Sequence, residues 1–295
     1  MSSSHLLVGA NAPAPLEIRR ITPADVLQAL ARGLDDFAAM PSHAVFLCVI
    51  YPLIGLCLIA FVSGYALLPL AFPIAAGFAL IGPFAAIGLY ELSRRREAGL
   101  DTSSSRAFDV LHSRSIGAIV ALGVLLMLIF LVWVAVADAI YVANFGYTAP
   151  ASIAQFASDV FTTSAGWNLI MVGTGIGFLF AVVVLTISAI SFPLLLDRDV
   201  GAAVAVFTSI RVVLANPISM ALWGLIVAAL LVAGSLPFFL GLTVVMPVLG
   251  HATWHLYRKA VVSDAAPRAE YQADEQQRSR RYAADFPAAL FPTRR

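Results

Sequence analysis

The sequence predicts an all-α polytopic membrane protein: six transmembrane helices arranged as three in-out-in hairpins, with amphipathic interfacial helices. Three observations carry this. Hydrophobic residues make up 60% of the chain and charged residues only 12%, about half of what a soluble domain uses to cover its surface. Six apolar stretches approach the ~20 residues needed to cross the hydrocarbon core. All 18 lysines and arginines fall in segments that this arrangement puts on one side of the membrane. The net charge of +1 says little beside that distribution.

Residues 1–21 hold small polar residues, prolines and Arg19-Arg20 without periodicity, and are expected to be a disordered cytoplasmic tail. The first forty residues lack a basic flank, apolar run and small-residue cleavage site, so the first span is expected to stay in the mature chain. A helix start follows, with Thr22 as N-cap, Pro23 at the first helical position and Asp25 as capping carboxylate. Val26, Leu27, Leu30, Leu34 and Phe37 form an apolar stripe, predicting a helix that lies on the membrane surface until Met40-Pro41.

The spans are placed near 44–61, 66–90, 116–137, 167–192, 217–233 and 236–255. Tight turns at Ser63-Gly64 and Gly234-Ser235 would make hairpins of the first and last pairs. Pro69, Pro73 and Pro83 predict an irregular or kinked second span. In the fourth, Gly173 and Gly177 have the spacing that permits close helix packing. Cys48 and Cys57 share the first span, ~13 Å apart along its axis, too far for a disulfide. Residues 22–262 thus form the membrane domain, and the arginine-rich stretch 263–295 is expected to be a second disordered cytoplasmic tail.

Orientation follows from the cations. Arg19, Arg20 and Arg32 precede the first span; Arg94, Arg95, Arg96, Arg106 and Arg114 separate the second and third; Arg198 and Arg211 separate the fourth and fifth; the remainder follow the sixth. The positive-inside rule then puts both termini in the cytoplasm. The outer loop 138–166 carries Tyr141, Phe145 and Tyr147, with Trp167 at its end, an aromatic set suited to the interface. Beyond Pro150 a short helix with Ile153, Phe156 and Val160 on one face is expected against the membrane, as a surface anchor in preference to a substrate lid. The ends of the second and sixth spans, PFAAIGLYELSRR from Pro83 and PVLGHATWHLYRK from Pro247, match weakly as a parallel internal repeat.

Candidate chemistry is sparse. No Asp, Glu, Lys or Arg falls inside a span, which argues against an ion-coupled carrier. His251 and His255 stand i, i+4 on the last helix and could face one metal, with His43 and His112 near the same boundary; interfacial histidines are the simpler reading. Two histidines on one helix face cannot take opposite sides of one haem iron. Asp197, Arg198 and Asp199 form a compact charged group. With Arg211 they are candidates for docking or lipid-headgroup contact, Asp199 capping the following helix; a cap plus topology charges would account for most of the pattern. The glycines of GTGIG lie inside a span, not between strand and helix, so they do not form a phosphate cradle. No catalytic residue and no cofactor is expected, nor nucleic acid; the expected partners are the lipid bilayer and either another membrane protein or a second copy.

FPLLLDRDVGAAVAVFTSIRVVLANP (192–217) and LPFFLGLTVVMPVLGHATWHLYRK (236–259) resemble a family of bacterial integral membrane proteins catalogued as domain of unknown function 2189. The resemblance spans roughly residues 20–262. It implies an inner-membrane location and the six-span arrangement, and it brings no established activity or site residues. Some members are labelled oxidase subunit I; this chain has half the spans of that oxidase and lacks histidines at depth for its haems and copper.

These observations leave three functional readings. The leading one is a non-catalytic accessory, assembly or scaffold component of a membrane complex. The others are a facilitator or channel for an uncharged or lipidic molecule, and a metal- or haem-binding respiratory protein.

Overall fold

The computed structural model describes residues 16–40, 65–147, 149–237 and 239–262. The expected first span near 44–61, the Ser63-Gly64 turn, Cys48, Cys57, His43 and the stretch 263–295 lie outside them. Among the described residues all regular elements are helical: α1 (Pro23–Ala39), a 3₁₀ segment (Tyr65–Leu70), α2 (Ala71–Ala85), α3 (Ile87–Glu97), a second 3₁₀ segment (Ser104–His112), α4 (Ile116–Phe145), α5 (Ile153–Thr162), α6 (Ser164–Ser188), α7 (Ser191–Asp197), α8 (Ala202–Ala215), α9 (Pro217–Ser235) and α10 (Leu242–Ala260).

Three runs are long and apolar enough to cross a membrane: Ile116–Phe145, Ser164–Asp197 and Pro217–Ser235. They correspond to the third, fourth and fifth expected spans. The second expected span is broken into a 3₁₀ turn containing Pro69 and two helices that meet at Ala86, just past Pro83. A proline removes an intrahelical hydrogen bond and crowds the preceding turn, which is enough to divide an apolar run. The helix at the sixth begins only at Leu242, well past the end of α9 at Ser235, with Phe239 at positive φ (64°) before it. Six crossings therefore remain the sequence expectation; the described structure has three helices of spanning length with further apolar helices around them.

α10 is the axis. Every residue from Met246 to Tyr257 is buried, and α1, α3 and α9 pack against it. α1, expected as an amphipathic helix on the membrane surface, runs antiparallel along α10. Its Thr22 cap forms as expected: the hydroxyl accepts from the Asp25 amide, and the Asp25 carboxylate accepts from the Thr22 amide at 2.9 Å. The buried stripe differs from the expected one: it is Val26, Ala29, Gly33 and Asp36, while Leu27 and Leu34 are exposed. Small residues win because they allow the backbones to touch. A Cβ on Gly33 would stand 2.6 Å from both the Cβ and the backbone nitrogen of Ala252.

Residues 16–21 also depart from the expected tail. Ile18 bridges Val261, the Arg19 amide donates to the Ala260 carbonyl (2.9 Å), and the Val262 amide donates to the Glu17 carbonyl (3.0 Å). At the foot of α9 the Asn216 Oδ1 accepts from the Ile21 amide (2.7 Å), and the Ser219 hydroxyl donates to the Ile21 carbonyl (2.7 Å). Leu16 and Ile21 are buried. Backbone groups satisfied this fully, with two apolar side chains withdrawn from water, suffice to order a short segment lacking periodicity.

The end of the fold holding residues 138–166 differs in one respect. α4 continues to Phe145, so the first residues of the expected loop, including Asp138 and Tyr141, are helical; at 30 residues it is ~45 Å long. α5 forms at the expected place with Ser152 as its cap. Farther inside, Trp133 of α4 is wedged between Gly77 of α2 and Gly177 of α6, and its indole donates to the Pro73 carbonyl at 2.9 Å. Gly173, the other half of the expected packing pair, has nothing within 4 Å of where its Cβ would be.

Candidate functional site: a buried polar cluster around Asp36

Where α1, α3 and α10 meet, four polar side chains from distant parts of the chain converge. Asp36 comes from the end of the small-residue seam on α1, Ser93 from the middle of α3, and His251 and His255 from one face of α10. The Ser93 Oγ lies 2.6 Å from Asp36 Oδ2 and 2.7 Å from His251 Nδ1. His255 Nε2 lies 2.9 Å from the same Asp36 oxygen. Arg96 holds the other oxygen, Oδ1. Ser93 and His251 are 0% exposed and Asp36 is 5% exposed.

The donors can be assigned from the partners. Asp36 is acceptor-only when ionised, so Ser93 spends its one hydroxyl hydrogen on it. The remaining serine lone pair then accepts from His251 Nδ1–H. His255 donates from Nε2, and the Arg96 guanidinium completes the set. Burial works to raise the Asp36 pKa, but the hydrogen bonds from His255 and Ser93 outweigh it and hold the carboxyl below its ordinary value. His251 Nε2 is buried without a hydrogen bond of good geometry; the Leu89 carbonyl lies near the ring.

An ionic frame surrounds the cluster. Glu91 and Arg95, each 1% exposed, are paired within α3 and with its neighbour. Arg94 grips Glu91 through two hydrogen bonds of 2.8 Å. Arg95 donates to the Asp101 carbonyl (2.6 Å) and reaches Asp109 (3.3 Å). Glu97 accepts from the Trp254 indole (3.0 Å) and from Arg258. Lys259 reaches back to Asp25 (2.9 Å) and Gln28 (2.6 Å) on α1; its hydrogen bond, with those from Thr22, lowers the Asp25 pKa to about 2. The Arg94–Arg96 run, expected as topology charge, is therefore internal structure. The next residue, Glu97, pairs with Arg258, which lies 3.7 Å from the Asp197 carboxylate, so segments expected on one side of the membrane meet at one end of the fold.

The other sequence candidates separate. Asp197 accepts from the Tyr257 hydroxyl (2.7 Å) and lies 3.7 Å from Arg258. Arg198 donates to the Val262 carbonyl (2.8 Å). Both are structural ties between α7 and the end of α10. Asp199 is exposed and does not cap α8: that helix starts after Gly201, which takes φ 78° and leaves the N-terminus without a side-chain cap. The left-handed turn at Gly201 sets the chain direction, so the carboxylate two residues earlier cannot reach the helix amides. Arg211 stands apart on α8, beside the Leu16–Arg20 segment.

His251 and His255 share the expected face, but each is committed to a hydrogen bond, and His112 is exposed at the end of its 3₁₀ segment. Among the described residues no group of three or more His, Cys, Asp or Glu side chains is placed to hold a metal ion. Ser93, His251 and Asp36 include the residue types of a nucleophilic triad. Here the serine hydrogen points at the aspartate, and Ser93 and His251 are 0% exposed, so the arrangement is suited to clamping helices. The sequence reading missed Asp36 and Ser93 as members of this site. Ala29 and Gly33, at the i, i+4 spacing of a close-packing face one turn before Asp36, were the available signal.

No curated protein and no solved structure matches the chain. The expected resemblance extended over roughly residues 20–262; the match covers less, and it leaves the Gly250–Arg258 run outside. From the start of α2 to the end of α7, residues 71–197, the chain matches the family described as predicted integral membrane protein, DUF2189, which bears out the resemblance over that segment.

Proposed function

We propose that the chain is a six-span protein of the bacterial inner membrane with both termini in the cytoplasm, acting as a non-catalytic accessory, assembly or scaffold component of a membrane complex. One observation carries this reading: the polar groups with chemical potential are spent on one another. Asp36, Ser93, His251 and His255 fasten α1 to α3 and α10 in a closed cluster, and the ionic frame extends that fastening to α7. Meanwhile α4, α6 and α9 present large apolar side chains outward, among them Leu128, Met171, Phe178 and Leu225, suited to lipid or to a partner helix. In this reading residues 22–262 are the membrane domain, and 1–15 and 263–295 are cytoplasmic tails.

A facilitator for an uncharged molecule finds less support. An apolar recess of about 220 Å³ beside Trp133, Gly173 and Phe178 is below the usual size range of ligand pockets. The proposal is tested by extracting the full chain natively from its membrane and identifying co-purifying proteins by mass spectrometry. A stoichiometric membrane partner is the expected result; recovery only as a free monomer or homo-oligomer would count against an accessory role.

A further inference from the structure

We propose that Arg20 and Arg211 form a binding site for the headgroup of an anionic phospholipid, whose acyl chains lie along the junction of α8 and α9. The argument starts with Asn216 and Ser219. By holding the backbone of Arg19 and Ile21 they fix the N-terminal segment alongside α8. The space left between the two is a groove of about 530 Å³, lined by Leu16, Glu17, Ile18, Arg20, Arg211 and Leu214 among others.

Its two cations are available. Arg211 makes one long hydrogen bond, Nη1 to the Leu16 carbonyl at 3.4 Å, and its guanidinium carbon lies 5.9 Å from the centre of the Phe207 ring. Most of its five N–H donors therefore remain for a ligand. Arg20 is exposed and has no ion pair or side-chain hydrogen bond among the described residues. Glu17, also exposed, is the single carboxylate of the lining, which leaves an excess of one positive charge. Two guanidinium groups can share a phosphodiester through charge-assisted hydrogen bonds.

The apolar surroundings select a lipid over free phosphate. Phe207, Leu214 and Ile218 are 62%, 72% and 75% exposed, and with Arg211 they follow helical spacing along one side of α8 into the first turn of α9. That helix is a candidate membrane span. A cation pair at the foot of a span, with large apolar side chains on the bilayer side, meets the phosphate and the first methylenes of one molecule together. The inference rests on membrane embedding alone and is independent of any protein partner, so a pull-down that finds none leaves it standing.

The test uses the full chain in mild detergent, with native mass spectrometry to count bound lipid while phosphatidylglycerol or phosphatidylcholine is titrated. Phosphatidylglycerol should be retained in preference to phosphatidylcholine. In the R20Q/R211Q variant its affinity should fall about fivefold per arginine, about twenty-five-fold in all, while R20K/R211K keeps most of it. Glycerol phosphate should not displace the lipid. Equal affinity of wild type and R20Q/R211Q, equal retention of the two lipids, or displacement by glycerol phosphate would each overturn the proposal. If the glutamine variant loses its helical circular dichroism, raising salt on the wild type decides. Retention must fall as the charges are screened, and retention unchanged at about 1 M salt would overturn it.

Discussion

Replacing Asp36 by Ala should release α1 from α10 without unfolding the rest of the helices, and the size of the effect can be worked from its partners. Asp36 accepts from Ser93, His255 and Arg96. Removing it does not strand all three donors. Ser93 can turn its hydrogen to His251 Nδ1, already 2.7 Å away, once the imidazole proton shifts to Nε2 beside the Leu89 carbonyl, and the Arg96 side chain, 40% exposed, can reach water. Only His255, with its side chain 10% exposed, loses its partner inside the protein. A buried donor left unsatisfied costs about 1–3 kcal/mol; taking the middle, about 2 kcal/mol, the local opening of α1 should become roughly thirtyfold more frequent. Asp36→Asn retains a carbonyl acceptor and should cost less. Amide hydrogen exchange in detergent, followed by peptide mass spectrometry, reads this directly. Peptides covering residues 26–37 should exchange roughly thirtyfold faster in Asp36→Ala, and those of α4 should not change. Exchange of α1 within twofold of wild type would show that the cluster does not hold the helix, and the clamp reading would fail.

Other expectations follow from the same contacts. Because the Asp36 and Asp25 carboxyl groups titrate below the ordinary value of 3.8, their contribution to α1 docking is complete above that value. It is lost as the pH falls through the folded-state values, for Asp25 toward about 2; exchange of α1 should be level on the neutral side and accelerate only in that acid window. Gly33→Ala should lower thermal stability by about 1–3 kcal/mol, because its Cβ meets the Ala252 backbone at 2.6 Å. Gly173→Ala, facing open space, should stay within about 0.5 kcal/mol of wild type in the same melt. Trp133→Ala should cost about 3–5 kcal/mol by opening a cavity between Gly77 and Gly177, seen as a fall in the detergent melting temperature.

What could be read from the sequence was local. Thr22, Pro23 and Asp25 announced the start of α1 because a capping box is written in four consecutive residues. The runs at 116–137, 167–192 and 217–233 announced the long apolar helices because length and hydropathy suffice for that. The site was not local. Asp36 and His255 are 219 positions apart, and nothing in either neighbourhood records the other. The amphipathic pattern of α1 was real but misleading: large apolar residues drew attention from Ala29 and Gly33, whose value lies in letting two backbones meet. Likewise the Asp197-Arg198-Asp199 cluster looked like one feature. It is divided where α7 ends: Asp197 closes the helix and ties to Tyr257, Arg198 is extended and reaches the Val262 carbonyl, and Asp199 is left in the open. The order of residues 16–21 depends on Asn216, Ser219 and Ala260, again far away in the chain.

The central claim is that the cationic segments meeting at one end of the fold all face the cytoplasm. Cysteine labelling in intact cells tests it most directly: single cysteines at Ser104, Asp199 and Ser152, in a background lacking Cys48 and Cys57, are challenged with a membrane-impermeant maleimide. Reaction at position 152 alone, with 104 and 199 labelled only after the membrane is opened, is the predicted result; labelling of position 104 or 199 from outside would contradict the topology and the function proposed from it.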